Sequence, residues 1–202
     1  MNPLNANHVS RRDILKSLSI GAAAGSVLLA IPLEAAEYAH NVIQAEKASA
    51  GATGYAPKYF NVHQYATLQK LCETIIPTDA DSGGAIEAGA PEFIDLLTSE
   101  NPEYQRKLGG GMMWLDSACN DRFGNTYLEC TAQQQKEMLD LIAYRKHAER
   151  DQELKYGVDF FSFLRNLTSD GFFTSKIGIE YLGYMGNSFL LEFPGCPPVP
   201  GL

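Results

Sequence analysis

The chain reads as all-α: a single compact domain of five to seven helices, closed by an extended, aromatic and Pro/Gly-rich C-terminal tail. Three observations predict this. Apolar residues recur at helical spacing in one segment after another, and no stretch alternates with period two for long enough to make a strand. Start and stop residues such as Asn61, Pro91, Asn101, Gly124 and Thr131 punctuate those segments. The stretch 158–196 then collects seven of the ten phenylalanines, a run of glycines and a terminal Pro-Gly-Cys. So aromatic a segment is buried, either in the chain's own core or against a partner.

Length and composition suit one globular domain behind a leader: 202 residues, 45% apolar and 20% charged. The formal net charge is −8, and without residues 1–36 it becomes −9. An acidic surface argues against nucleic acid and anionic lipid as partners.

In chain order, the first signal is Ser10-Arg11-Arg12-Asp13-Ile14-Leu15-Lys16. It follows the twin-arginine export pattern, Ser-Arg-Arg-x-apolar-Leu-Lys, with Ser10, Arg11, Arg12, Leu15 and Lys16 in the defining positions. The Ala/Gly-rich run from Leu18 to Leu33, broken by Pro32, is too short and too weakly apolar for a stable membrane span. Residues 1–36 are therefore read as an export signal, 37–58 as a linker and 59–202 as the domain. Glu34-Ala35-Ala36 and Ala48-Ser49-Ala50 both offer cleavage sites, the first with a poor leading residue and the second late. The expected location is the periplasm. A leader left uncut, or the complex itself, would hold the chain at the inner membrane.

The twin-arginine route carries folded proteins, so a subunit with such a leader can take a leaderless one across with it. Export also permits disulfides. Cys72, Cys119, Cys130 and Cys196 allow three full pairings, which sequence does not separate. All four also suit free thiols, since Cys72 and Cys119 fall at apolar helix positions; an exported chain favours at least one bridge. No C-x-x-C is present, so zinc and covalent haem are unsupported.

The first firm helix starts at Asn61, a natural N-cap, and runs through Val62, Leu68, Leu71, Cys72 and Ile75 until Pro77. The loop 78–84 has carboxylates like a calcium loop, but Gly83 stands where an oxygen ligand is needed and Ala90 where the bidentate Glu belongs. Pro91 opens the next helix, to about Leu97. Asn101 opens another whose stripe is Leu108, Met112, Leu115, Cys119 and Phe123, with Gly124 its stop. Gly109-Gly110-Gly111 inside that stripe costs about 1 kcal/mol per glycine, which implies a break or a close helix contact. Thr131 and Gln134 form a capping box, and 145–153 is a solvated charged run. Asp159 is read as the N-cap of a helix through Phe160, Phe161, Leu164 and Leu167, with Gly171 its stop and Thr174 or Ser175 capping a short successor.

The chain offers little catalytic chemistry. G-x-S-x-G, H-E-x-x-H, the P-loop and G-x-G-x-x-G are all missing from it. His40, His63 and His147 read as solvent-facing or capping residues, and Asp79 with Asp81 as a solvated turn. No catalytic, cofactor-binding or metal-ligating residue is nominated.

The motifs add up to a resemblance. Phe60 to Pro77, the Asp/Gly loop and Gly89-Ala90-Pro91-Glu92-Phe93-Ile94-Asp95 are similar to the opening of the gluconate 2-dehydrogenase subunit 3 family. Phe123-Gly124 with Thr131-x-x-Gln134-Gln135, then Phe160-Phe161 through Thr168, Gly171 through Gly178, and Pro194-Gly195-Cys196 complete the match over roughly residues 58–198. The resemblance implies a non-catalytic small subunit of an exported dehydrogenase. Its partner would be a large FAD-binding subunit of the glucose-methanol-choline class, in some complexes with a multihaem cytochrome c. FAD would belong to that partner and no cofactor to this chain. The interface candidates are Arg165, Phe172, Phe173, Tyr184, Met185, Asn187 and Phe193, since aromatic residues, Met and Arg are enriched where proteins meet. The alternative is a free-standing exported binding or structural protein, monomeric and with its tail packed on itself.

Overall fold

A computed structural model of the chain describes residues 31–50, 55–184 and 186. The twin-arginine stretch (Ser10, Arg11, Arg12, Leu15 and Lys16) lies outside the described residues, as do Met185, Asn187, Phe193, Cys196 and the rest of the tail. Every regular element among the described residues is helical, as the periodicity predicts.

Helix α1 spans Leu33–Ala50 and α2 spans Val62–Ile75. Asn61 caps α2 reciprocally: its side chain accepts from the Gln64 N–H at 2.9 Å, and its own N–H donates to the Gln64 side chain. Helix α3 covers Ala90–Glu100 with Pro91 in its first turn. Asn101 caps the turn Pro102–Tyr104, a π turn follows over Gln105–Gly109, and α4 runs Gly110–Phe123. Gly124, at φ 76°, ends α4 in the left-handed conformation. Thr131 and Gln134 box the start of α5, Ala132–Ile142. The charged run supplies the short helix α6, Arg145–Arg150, with no buried residue. The aromatic segment forms α7, Lys155–Phe173, and Ser175 caps α8, Lys176–Tyr181.

The centre of the domain is α3. Each residue from Ala90 to Thr98 is buried, so this helix is enclosed on every side by α1, α2 and α7. Phe93, Ile94, Leu68, Leu71, Leu115 and Leu164 are among the fully enclosed side chains of the single core cluster.

Two stretches differ from the sequence reading. The first is the expected linker. Leu33–Ala50 is a packed helix with Ala35, Ala36, Ala39 and Ile43 buried in the core, so 37–50 is helical where the sequence pattern predicts a linker over 37–58. Alanine favours helix most strongly of all residues, yet its small side chain makes no conspicuous apolar stripe, so the pattern hides the element. A cut after Ala36 or after Ala50 would divide or remove a helix that belongs to the core.

The second is the aromatic segment. Helix α7 begins four residues before Asp159, which is exposed inside it rather than capping it, and passes through Gly171 without stopping. Gly171 serves close approach: a Cβ there would lie 3.0 Å from the Phe93 ring and 3.3 Å from the Ala90 backbone, so α7 crosses α3 at this point. The glycine run at α4 answers its two expectations together. It adjoins the π turn, and a side chain on Gly111 would collide with the ring of Phe160 on α7.

Candidate partner interface

The C-terminal end of α7, the last residue of α8 and the residues just after it carry an exposed, largely aromatic ridge. Phe173 is 41%, Tyr181 54%, Leu182 59% and Tyr184 53% exposed, whereas Phe172 is 2% exposed. Phe172 supports the ridge from beneath, edge-to-face with Phe173 at 5.0 Å and with Tyr181 at 6.4 Å. Neighbouring helical residues point about 100° apart, and here Phe172 turns inward while Phe173 faces solvent. The structure therefore corrects Phe172 from an interface residue to a core residue, and adds Tyr181 and Leu182, which the sequence did not single out. Arg165 is exposed, two turns before Phe173 on the edge that also holds Ser169, and makes no ion pair among the described residues.

The ridge rests on a braced support. Ser175 Oγ accepts from the Gly178 N–H at 3.1 Å and donates to the Phe172 carbonyl at 2.7 Å, fixing the angle between α7 and α8. Helix α1 adds a contact from the other end of the chain. His40 stacks on Phe93 with centroids 5.1 Å apart, and its Nε2 lies 3.0 Å from Thr174 Oγ1. Burial lowers the His40 pKa, partly offset by a hydrogen bond with the Gly171 backbone. Of the two sequence expectations, solvent-facing or capping, His40 fits the second: it is packed against the end of α7. Nearby, Asp170 on α7 is half-buried with no side-chain hydrogen bond among the described residues, and burial pushes its carboxyl up to about 6.

Two buried carboxylates on α3 tie the N-terminal third to this frame. Asp95 is fully buried and accepts four hydrogen bonds: the Tyr55 hydroxyl at 2.8 Å and the Lys58 N–H at 2.6 Å on Oδ2, the Tyr59 N–H at 3.1 Å and the Phe60 N–H at 3.0 Å on Oδ1. One turn earlier, Glu92 Oε1 pairs with Lys47 of α1 at 2.6 Å, while its Oε2 is buried without a hydrogen-bond partner. Glu92 also sits in the first turn of α3, where the helix dipole favours negative charge. Sequence reasoning quoted both within the Gly89–Asp95 motif but gave neither a role.

The other polar groups singled out in the sequence are placed structurally. Asp79 accepts from the Asp81 and Ser82 N–H groups, each at 2.9 Å, closing the loop on itself. His63 pairs with Asp116 at 2.7 Å on the surface, and His147 Nδ1 contacts the Leu141 carbonyl at 2.8 Å. Cys72, Cys119 and Cys130 are buried free thiols. Two open clefts flank α4 and α7. One, of about 490 Å³, is lined by Trp114, Ser117, Asp121, Arg122 and Glu153; the other, of about 470 Å³, by Lys107, Arg145, Tyr156, Asp159 and Ser162. Among the described residues, neither cleft holds a serine hydrogen-bonded to a histidine or carboxylate. No described helix is long and apolar enough to cross a membrane.

The profile of the family described as Gluconate 2-dehydrogenase subunit 3 matches residues 62–195, from the start of α2 through the aromatic segment into the Pro-Gly-Cys tail. No curated protein and no solved structure matches the chain. With that family match over well more than half its length, the chain belongs to the gluconate 2-dehydrogenase subunit 3 family, accessory subunits of a dehydrogenase complex.

Proposed function

We propose that this chain is the non-catalytic small subunit of a periplasmic, FAD-dependent sugar or sugar-acid dehydrogenase, and that it escorts and stabilises the leaderless catalytic flavoprotein through twin-arginine export. The observation that carries the reading is the family match over residues 62–195. The leader pattern at Ser10 to Lys16 supports the escort role, because the twin-arginine route moves assembled complexes. The ridge of Phe173, Tyr181, Leu182 and Tyr184 beside Arg165 supports partner binding: aromatic and Arg side chains supply most of the energy at protein interfaces, and this edge leaves them in solvent. In this reading a glucose-methanol-choline-type subunit holds the FAD, and a multihaem cytochrome c is a further member where the complex has one. This chain contributes surface and export, not reacting groups. In this reading the leader ends ahead of α1, the described helix that starts at Leu33.

The test is export of the partner. Replacing Arg11 and Arg12 together by lysine should leave both this subunit and the flavoprotein activity in the cytoplasm. Normal periplasmic activity of the flavoprotein in that double variant would overturn the escort role.

A further inference from the structure

Asp170 joins two surfaces. On the outer face of α7, Asp159, Ser162, Asn166, Asp170 and Phe173 follow one another at spacings of three or four residues, so they form one line along the helix. Asp159, Ser162 and Asn166 line the cleft of about 470 Å³ together with Lys107 and Arg145. Phe173 opens the aromatic ridge. Asp170 stands between cleft and ridge, half-buried.

The backbone of Asp170 is engaged and its carboxylate is not. The Asp170 carbonyl accepts from the Thr174 N–H at 3.1 Å and from the Thr174 hydroxyl at 2.6 Å. The carboxylate makes no hydrogen bond and no ion pair among the described residues. The cations around it are spoken for or turned away. Lys107 pairs with Glu103 at 2.7 Å, Lys176 with Glu180 at 3.9 Å, and His40 Nε2 is held by Thr174 at 3.0 Å. Arg165, five residues earlier, points about 140° away around the helix. Outside the described residues, 51–54 and 185–202 contain no Lys, Arg or His, so the remaining cations all lie in 1–30, with the export signal. Burial without a counter-charge pushes the carboxyl up to about 6. An ionised group held this way costs the free subunit stability, and the charge that would relieve it has to come from another molecule.

We propose that Asp170 is the docking point for an arginine side chain of the catalytic flavoprotein subunit, with the Phe173 ring beside it. The proposal rests on the accessory-subunit reading and gives the chemistry of one contact in that interface. The spacing of three residues puts carboxylate and ring at neighbouring positions on the helix surface. A guanidinium suits both: its planar fork matches the two carboxylate oxygens, and its face stacks on an aromatic ring, which an ammonium does less well. The surrounding ridge of Phe173, Tyr181 and Leu182 excludes water once it is covered, and the lower local dielectric strengthens the pair.

The test starts from the tagged full chain recovered from its native periplasm with the flavoprotein that accompanies it. That flavoprotein, separated from the chain, is titrated onto wild type, Asp170→Asn, Asp170→Ala and Asp170→Glu. The Asn and Ala variants should bind about 10- to 100-fold more weakly, and the Glu variant, which keeps the charge, should lose less than either. The free Asp170→Asn chain should melt above wild type at pH 7, because it loses an uncompensated charge. Binding and stability then move in opposite directions, which a merely structural role does not produce. Asn and Ala variants that bind as tightly as wild type would overturn the proposal, and so would weaker binding matched by a lower melting midpoint. Recovery of the wild-type chain with no flavoprotein would overturn the accessory-subunit reading itself, and this contact with it.

Discussion

Replacing Asp95 by alanine is expected to cost the fold about 3–5 kcal/mol, the range for leaving buried polar partners of a charged group uncompensated. The magnitude follows from where the four donors sit. Three are consecutive backbone N–H groups of Lys58, Tyr59 and Phe60, and the fourth is the Tyr55 hydroxyl. Asp95 is itself fully buried and Phe60 is packed in the core, so the donors share one enclosed acceptor. Each orphaned donor would cost about 1–3 kcal/mol. Release of residues 55–60 from the core limits the total, exchanging that penalty for the lost burial of Phe60. Asp95→Asn keeps one acceptor but turns an N–H donor toward the others, so it should lose roughly 2–4 kcal/mol, and Tyr55→Phe, which removes one bond, about 1 kcal/mol. Urea unfolding followed by far-ultraviolet circular dichroism measures all three. An Asp95→Ala chain within 1 kcal/mol of wild type would refute the argument that this carboxylate fastens the start of the domain.

Removal of residues through Ala50 should destabilise the domain by about 3 kcal/mol or more, because the Lys47–Glu92 ion pair and the packing of Ala36, Ala39 and Ile43 on α3 are lost together; thermal melting of the truncated chain checks this, and an unchanged midpoint would restore the linker reading. His40 and Asp170 should give opposite pH dependences. The folded pKa of His40 lies below its unfolded value near 6.5, so its contribution is present above that value and is lost as pH falls through the folded pKa. The folded pKa of Asp170 is raised to about 6 from 3.8, so the folded state holds the extra proton and stability falls as pH rises from 4 to 6. Asp170→Asn should therefore stabilise at pH 7 and be close to neutral near pH 4, read from urea midpoints at the two pH values. Phe173→Ala with Tyr181→Ala should weaken the partner complex by about 10- to 100-fold, while lowering the subunit's own unfolding free energy by roughly 1–2 kcal/mol, since both rings also pack edge-to-face on Phe172; a loss of stability as large as the loss of binding, with no effect specific to the complex, would place these rings in the core.

Much of the fold was legible because helix ends are local chemistry. Asn61, Asn101, Gly124, Thr131 with Gln134, and Ser175 all act at the ends where the sequence put them, each using a side chain or conformation fixed within four residues. The failures share a cause: they depend on what lies across the fold. Gly171 has the identity of a helix stop and the environment of a helix crossing. Asp95 finds its donors 35 to 40 residues away, so no window around it reveals a site. Helix α1 is hidden by alanines whose burial is decided by α3. At the candidate interface, composition located the aromatic segment but could not say which ring of the Phe172–Phe173 pair faces outward. That needed the phase of α7, fixed by the packing of Phe160, Phe161 and Leu164. Tyr181 and Leu182, which the sequence did not single out, are exposed at the end of α8, a helix of only six residues.

The central claim is that this chain works as the small subunit of a flavoprotein complex. It is tested most directly by purifying the tagged chain from its native periplasm, recording the absorbance spectrum and identifying by mass whatever accompanies it. The account predicts a yellow complex with flavin bands and a large dehydrogenase subunit. A colourless single chain, stable alone and without a flavoprotein, would contradict it and leave a self-contained helical protein in its place.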